Sequence, residues 1–169
     1  MNKSLLTLFL FGLAIVSFIM QQVELSTAGQ QANLLTVSKI SDGDTVEVVI
    51  DGEEKSVRLI GVDTPEINDP RKSVECFGQE ASKATKDFLG SSRIRLEYDE
   101  SQGATDRFGR ELAYVFREDG LMLNSWLIHE GYAREYTYDD PYLYQSEFKI
   151  FENDAKENMR GLWSACSEF

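Results

Sequence analysis

The fold is decided by the stretch Thr45-Val-Glu-Val-Val-Ile-Asp-Gly-Glu-Glu-Lys-Ser-Val-Arg-Leu-Ile-Gly-Val62. Apolar side chains alternate along residues 45–50, which is the pattern of a strand with one buried face. Asp51-Gly52 is a strong signal for a tight hairpin turn. The return strand is predicted over residues 55–62, with Val57 and Leu59 facing inward and Arg58 on the opposite face. The stretch therefore predicts a β-hairpin.

Further strands and helices flank this hairpin. Strands are predicted over residues 33–40, 93–98 and 110–116, and helices over 78–89, over 121–130 and from about Leu143 onward. The last helix is indicated by apolar residues at steps of four, three, four and four, namely Tyr144, Phe148, Phe151, Ala155 and Met159. Because the strands come as hairpins, a doubly wound α/β fold is a poor match. We predict an α+β protein: a five-stranded β-barrel of the oligonucleotide-binding (OB) type with three α-helices.

The N-terminus is typical of an export signal. Lys3 precedes an uncharged apolar stretch, residues 4–20, that is shorter than the ~20 residues a membrane-spanning helix needs. Small residues at 26–28 form a cleavage site. We predict a signal peptide over residues 1–28, one domain over 29–169, and a secreted or periplasmic location. The alternative is an uncleaved membrane anchor formed by residues 4–20.

The only two cysteines in the chain are Cys76 and Cys166. An even count in an exported chain is what a single disulfide needs, so we expect the two to be bridged. The alternative is a pair of buried free thiols.

The formal net charge of −12 argues against a polyanionic partner, because nucleic-acid-binding proteins are usually basic. Removing residues 1–28 takes away Lys3 and Glu24 and leaves this charge unchanged. Composition alone therefore disfavours nucleic acid, and only specific motifs could outweigh it.

Those motifs are carboxylates and arginines at the ends of predicted strands. If the turn at residues 42–45 and the segment 62–66 meet at one mouth of the barrel, Asp44, Asp63 and Glu66 face one volume. Two carboxylates with a backbone carbonyl and water suit Ca²⁺, which prefers six to eight oxygen ligands. Arg58 and Arg110 would reach the same mouth, and a guanidinium group matches a phosphate in two-point geometry. The lone histidine, His129, cannot by itself build a zinc site, and we interpret it as a helix-surface residue.

Four ordered motifs resemble the staphylococcal (micrococcal) nuclease family. They are Asp42-Gly-Asp-Thr-Val, Val57-Arg-Leu-Ile-Gly-Val-Asp-Thr-Pro-Glu66, Phe77-Gly-Gln-Glu-Ala-Ser82 and Thr105-Asp-Arg-Phe-Gly-Arg110. The resemblance covers about residues 34–163, and the fold of that family is the barrel predicted above.

The resemblance implies a calcium-dependent endonuclease of the thermonuclease type. Asp44, Asp63 and the carbonyl of Thr64 would hold Ca²⁺, and Glu66 would activate the attacking water. Arg58 and Arg110 would hold the phosphate. Members of the family cut DNA and RNA at the bond to the 5′ oxygen and leave 3′-phosphates. We expect nucleic acid, preferably single-stranded, as the substrate of a monomeric enzyme.

Substrate-binding positions also carry over from the resemblance, with some departures. Arg71, Lys72 and Arg107 match basic positions flanking the nucleotide site, and Tyr136 and Tyr138 fall near aromatic substrate contacts. Phe108 stands where the family commonly has Tyr, which removes a hydroxyl from the phosphate-binding side. The last helix is more acidic here than in the family.

Two alternatives belong to different functional classes. One is a catalytically inert nucleic-acid-binding OB-fold module of the same family. Such modules usually lack the acidic and arginine positions, whereas all five side chains are present here. The other alternative is an anchored, non-enzymatic surface domain that uses calcium only for structure. Glu66 and Arg110 argue against it, because a structural calcium site needs neither.

Overall fold

A computed structural model of the chain describes residues 34–67 and 73–167, together with Ser17 and Met20. Of the described residues, those from Leu35 onward form one compact unit. The predicted signal peptide and its cleavage site lie almost wholly outside the described residues, so both stay predictions. None of the described helices is long and apolar enough to cross a bilayer.

The strands form one five-stranded sheet and one short pair. The strands are Thr36–Asp42 (β1), Thr45–Ile50 (β2), Glu53–Leu59 (β3), Val62–Asp63 (β4), Ile94–Glu97 (β5), Glu111–Arg117 (β6) and Arg134–Glu135 (β7). The sheet has the order β1-β2-β3-β6-β5, and β4 pairs with β7. β3 and β6 run parallel, whereas the other neighbouring strands run antiparallel.

The two outer strands of the five-stranded sheet meet at a single bridge. Leu35, next to β1, exchanges backbone hydrogen bonds of 2.7 and 3.0 Å with Ile94 of β5. The strand order therefore returns on itself in the manner of a small barrel. Together with the three helices, this arrangement confirms the predicted fold class.

The helices are Gly78–Leu89 (α1), Leu123–His129 (α2), Gln145–Glu157 (α3) and the single turn Leu162–Ala165 (α4). The sequence predicts the three longer helices, α1, α2 and α3. The observed bounds of α1 are the predicted ones. They cover the sheet with fully buried side chains such as Leu127 and Phe148. A disulfide joins Cys76, just before α1, to Cys166, just after α4, with the two Cα atoms 6.0 Å apart.

Some predicted boundaries are wrong for identifiable reasons. The return strand of the hairpin ends at Leu59 rather than at residue 62, because the chain turns through Gly61, whose φ is +75°. Met159 was predicted on the apolar face of the last helix. It lies beyond the end of α3 at a φ of +53° and is 59% exposed.

A buried amide connects the helices to the turn that precedes the site. Asn124 of α2 is fully buried. Its Nδ2 donates to the carbonyl of Ile60 at 2.9 Å, and its Oδ1 accepts from the backbone N–H of Val115 at 2.9 Å. The side chain thus satisfies one backbone donor and one backbone acceptor, both of which lie in the buried core.

We expect Asn124→Ala to lower the free energy of unfolding by several kcal/mol, since each orphaned backbone group costs about 1–3 kcal/mol. Urea denaturation would measure the loss. Asn158→Ala is a suitable control, because Asn158 makes similar hydrogen bonds on the exposed end of α3 and should have little effect. Equal losses in the two variants would show that burial is not the cause.

Candidate active site

The turn between β1 and β2 is fixed from two sides. Thr85, fully buried in α1, donates its hydroxyl to the carbonyl of Gly43 at 2.5 Å. The backbone N–H of Leu59 donates to the carbonyl of Asp44 at 3.0 Å. This turn carries Asp44, a predicted metal ligand, and holds its backbone rigidly between a helix and a strand.

Asp44 and Thr64 are brought together by this turn. Asp44 is 7% exposed, and its Oδ2 accepts the backbone N–H of Thr64 at 2.9 Å. A Cβ at Gly43 would lie 2.7 Å from Thr64 Oγ1, so glycine permits the close approach of the two segments. Two of the predicted metal-binding positions are therefore adjacent.

Arg58 lies between the two predicted aspartate ligands. Its Nη2 is 3.1 Å from Asp44 Oδ2 and 3.7 Å from Asp63 Oδ1. Its Nη1 donates to the carbonyls of Leu59 and Val62 at 3.0 and 2.6 Å. Both carboxylates thus face one guanidinium group, which is itself anchored to the backbone around the turn at Gly61.

Asp63 is held from its other side by a residue that the sequence reasoning missed. Asp63 pairs with Arg134 across the β4–β7 ladder, and Arg134 Nη2 lies 2.7 Å from Asp63 Oδ2. Two-residue strands carry no periodic pattern, so no sequence signal pointed to this partner.

Glu66, the predicted general base, hydrogen-bonds through its carboxyl to the carboxyl of Asp42. Burial raises the pKa of Asp42 to about 7, and the hydrogen bond to Glu66 acts in the same direction. The N–H of Gly43, 2.7 Å from Asp42 Oδ1, opposes the rise. Asp42 was not predicted as a site residue, although its place two residues before Asp44 in the same turn was a usable signal.

Arg110 is positioned by its own loop. Asp106 Oδ2 accepts from Nε and Nη2 of Arg110 at 2.7 and 2.6 Å, and Asp106 Oδ1 accepts the backbone N–H groups of Phe108 and Arg110. Burial alone would raise the pKa of Asp106, but these hydrogen bonds outweigh it and lower the pKa. The loop therefore holds an ionised aspartate against the guanidinium group and fixes its direction.

A cleft of about 460 Å³ collects most of the predicted substrate-binding residues. Its lining includes Arg58, Asp63, Arg107, Phe108, Arg110, Tyr136 and Tyr138. The rings of Phe108, Tyr136 and Tyr138 are 70%, 45% and 64% exposed. The guanidinium carbons of Arg107 and Arg110 lie 4.8 and 5.4 Å from the Phe108 ring centroid. Exposed rings beside guanidinium groups provide surfaces on which bases can stack.

The cleft is less acidic than the rest of the protein. Among the described residues, three arginines and three aspartates line it, the aspartates being Asp63, Asp106 and Asp139. These charges sum to zero, whereas the whole chain carries −12. The acidity of the protein therefore does not extend to the described part of this surface.

Not every predicted site residue lies in the cleft. Arg71 and Lys72 fall outside the described residues. Asp44, Thr64 and Glu66 are absent from the described lining of the cleft. Asp44 contacts Arg58, which does line it, and Thr64 contacts Asp44. His129 contacts Glu130 and Asp154 on the helical side, which agrees with a structural role.

The oxygen atoms at this site suit a hard cation. Thr64 Oγ1 is buried and has no hydrogen-bond partner in the described part of the chain. Within residues 34–67 and 73–167, no three acidic, histidine or cysteine side chains are already grouped to hold a metal. The predicted ligand set needs only the two aspartates that flank Arg58 and the carbonyl of Thr64, so the donors fit Ca²⁺.

A small sheet of OB type with carboxylates and arginines beside a ring-lined cleft is suited to binding a phosphodiester. Comparison with known proteins gives the class, the phosphodiester hydrolases. The family model for staphylococcal nuclease homologues matches residues 56–165.

The similarity to individual relatives covers most of the chain. The chain is 40% identical over 140 residues to a thermonuclease of Staphylococcus hyicus, covering 83% of this chain and 80% of the relative. It is 34% identical to a thermonuclease of Staphylococcus intermedius, covering 96% and 99%. It is 37% identical to the endonuclease YncB of Bacillus subtilis (strain 168), covering 77% of this chain and 61% of the length of that relative. The chain belongs to the staphylococcal nuclease family and is a nuclease.

Proposed function

We propose that this protein is an exported, calcium-dependent endonuclease that hydrolyses DNA and RNA and leaves 3′-phosphates. The observation that carries the proposal is the convergence of Asp44, Arg58 and Asp63 beside the cleft that contains Arg110. A binding module would need the exposed rings, but it would have no use for two aspartates around an arginine, one of them buried.

The chain's own residues would divide the chemistry between them. Arg58 and Arg110 would bind the non-bridging oxygens of the phosphate and stabilise the charge that grows there in the transition state. Arginine has five N–H donors, and Asp106 engages only Nε and Nη2 of Arg110. Nη1 has no partner among the described residues and would be available to phosphate.

Glu66 would accept the proton of the attacking water. Its carboxyl lies within hydrogen-bonding reach of the carboxyl of Asp42. When bound by Asp44, Asp63 and the carbonyl of Thr64, Ca²⁺ would polarise the phosphoryl group. The cation would also change the sign of the local charge: three carboxylates and two arginines sum to −1, and one Ca²⁺ makes the site +1.

Substrate preference follows from the walls of the cleft. Phe108, Tyr136 and Tyr138 present ring faces that are accessible to unstacked bases. Stacking contributes about 1–3 kcal/mol per base and is available to a single strand but not to a paired duplex. We propose that single-stranded nucleic acid is the preferred substrate of a monomeric enzyme.

Calcium removal tests the proposal directly. We expect the domain from Gly29 onward to degrade single-stranded DNA in millimolar Ca²⁺ and to stop when a chelator is added, with activity restored by excess Ca²⁺. Calorimetric titration with Ca²⁺ alone should show one binding site. Chelator-resistant cleavage would contradict the calcium dependence, and Ca²⁺ binding without cleavage would favour the inert module.

A further inference from the structure

The carboxylate of Asp63 lies between two guanidinium groups, one on each of its oxygens. Arg58 approaches Oδ1 at 3.7 Å, and Arg134 approaches Oδ2 at 2.7 Å. The shorter contact is therefore to the arginine outside the predicted site. Arg134 faces Asp63 directly across the β4–β7 pair, so the backbone ladder sets the contact.

Arg134 reaches Asp63 from behind the cleft. It is not among the described residues that line the main cleft. It lines a second cavity of about 370 Å³, together with Glu135, Glu152, Lys156 and Trp163. Asp63 and Tyr136 are common to both cavities. Arg134 can thus act on the carboxylate without touching a substrate in the main cleft.

The second cavity is not itself a phosphate site. Among its described lining residues, Arg134 and Lys156 contribute two positive charges, whereas Asp63, Glu135 and Glu152 contribute three negative ones. Lys156 is also already paired with Glu152 at 2.7 Å. The net charge of −1 disfavours a polyanion, so the function of Arg134 is found in its contact with Asp63.

The geometry leaves one oxygen of Asp63 for a cation. Oδ1 is on the side shared with Asp44 through Arg58, whereas Oδ2 is held by Arg134. A hydrogen bond to the second oxygen of a ligating carboxylate fixes its orientation, and such outer contacts typically change metal affinity by about 10–100-fold.

We propose that Arg134 is a positioning residue that orients Asp63 and thereby strengthens calcium binding. The inference rests on the proposed function, since it presupposes that Asp63 is a calcium ligand. It also requires that the orienting effect of Arg134 on Asp63 be larger than its repulsion of the cation, because its positive charge by itself weakens Ca²⁺ binding. Removing Arg134 should therefore weaken Ca²⁺ binding if Arg134 positions Asp63, and should strengthen it if repulsion dominates.

Calcium titration in the absence of nucleic acid measures the direction of this change. We expect the Kd for Ca²⁺ of Arg134→Ala to rise about 10–100-fold. Arg134→Lys, which retains a cationic donor, should recover part of the loss. Arg93→Ala is the matched control, because it removes an equal charge from an arginine that lines neither cavity, and it should bind Ca²⁺ as the wild type does.

The outcomes separate the inference from the proposed function. No Ca²⁺ binding by the wild-type protein would overturn the proposed function itself. Wild-type binding with an equal or tighter Kd in Arg134→Ala would overturn only the positioning role. Should Arg134→Ala fail to fold, as judged by circular dichroism, Arg134→Lys decides: a Kd equal to the wild type's in that variant would overturn the inference, and a weaker one would support it.

Discussion

A Glu66→Gln variant is expected to bind Ca²⁺ with nearly wild-type affinity and to cleave single-stranded DNA about 10²–10⁴-fold more slowly, which is the usual contribution of a general base. The amide has the size of the carboxyl group and can still hydrogen-bond to Asp42, but it cannot accept a proton from water. We therefore expect the loss in kcat, with KM little changed. Single-turnover kinetics with calorimetry of Ca²⁺ binding would measure both quantities.

Glu80→Gln is a matched control for this experiment. Glu80 is an exposed glutamate in the first turn of α1, so the same change there should leave the rate unaltered. A Glu66→Gln variant of full activity would remove Glu66 from the mechanism. Loss of Ca²⁺ binding in that variant would instead assign Glu66 to the metal.

An Arg110→Ala variant is expected to lose about 10²–10³-fold in kcat, similar to the loss of one pre-organised donor to a developing oxyanion. In the structure Asp106 fixes the direction of the guanidinium group, so the donors need no rearrangement when charge develops. Steady-state kinetics on a defined oligonucleotide would measure the change.

Arg107→Ala provides the comparison for Arg110. Both guanidinium groups lie near the ring of Phe108 and line the same cleft. We expect the Arg107 variant to raise KM with little effect on kcat, because Arg107 would contribute to binding rather than to the transition state. Similar changes in both variants would indicate that Arg110 contributes only electrostatic attraction.

The sequence predicts the regular parts of this fold well, because the patterns there are local. The alternation around Asp51-Gly52 predicts the β2–β3 hairpin, and the helical spacing up to Gly90 predicts α1 with its observed bounds. Boundaries fail where a local conformation interrupts the pattern, as at Gly61 with its positive φ and at Met159 beyond α3.

The sequence predicts which residues make up the candidate site, but it does not predict the contacts that orient them. Asp44, Arg58 and Asp63 meet in the structure as the motifs suggest. The contacts that orient these groups could not be predicted in the same way. Arg134 reaches Asp63 through a two-residue ladder, and the contact of Asp42 with Glu66 joins two segments that are distant along the chain.

The parallel pairing of β3 with β6 has a consequence for how activity is acquired during folding. Arg58 belongs to β3, and Arg110 immediately precedes β6, about fifty residues further along the chain. Contacts between such distant parts of a chain form slowly, because a long loop must close first. An intermediate that contains only the β1–β2–β3 meander has one of the two arginines and no cleft. Both arginines therefore come together only in a chain in which β3 and β6 have paired.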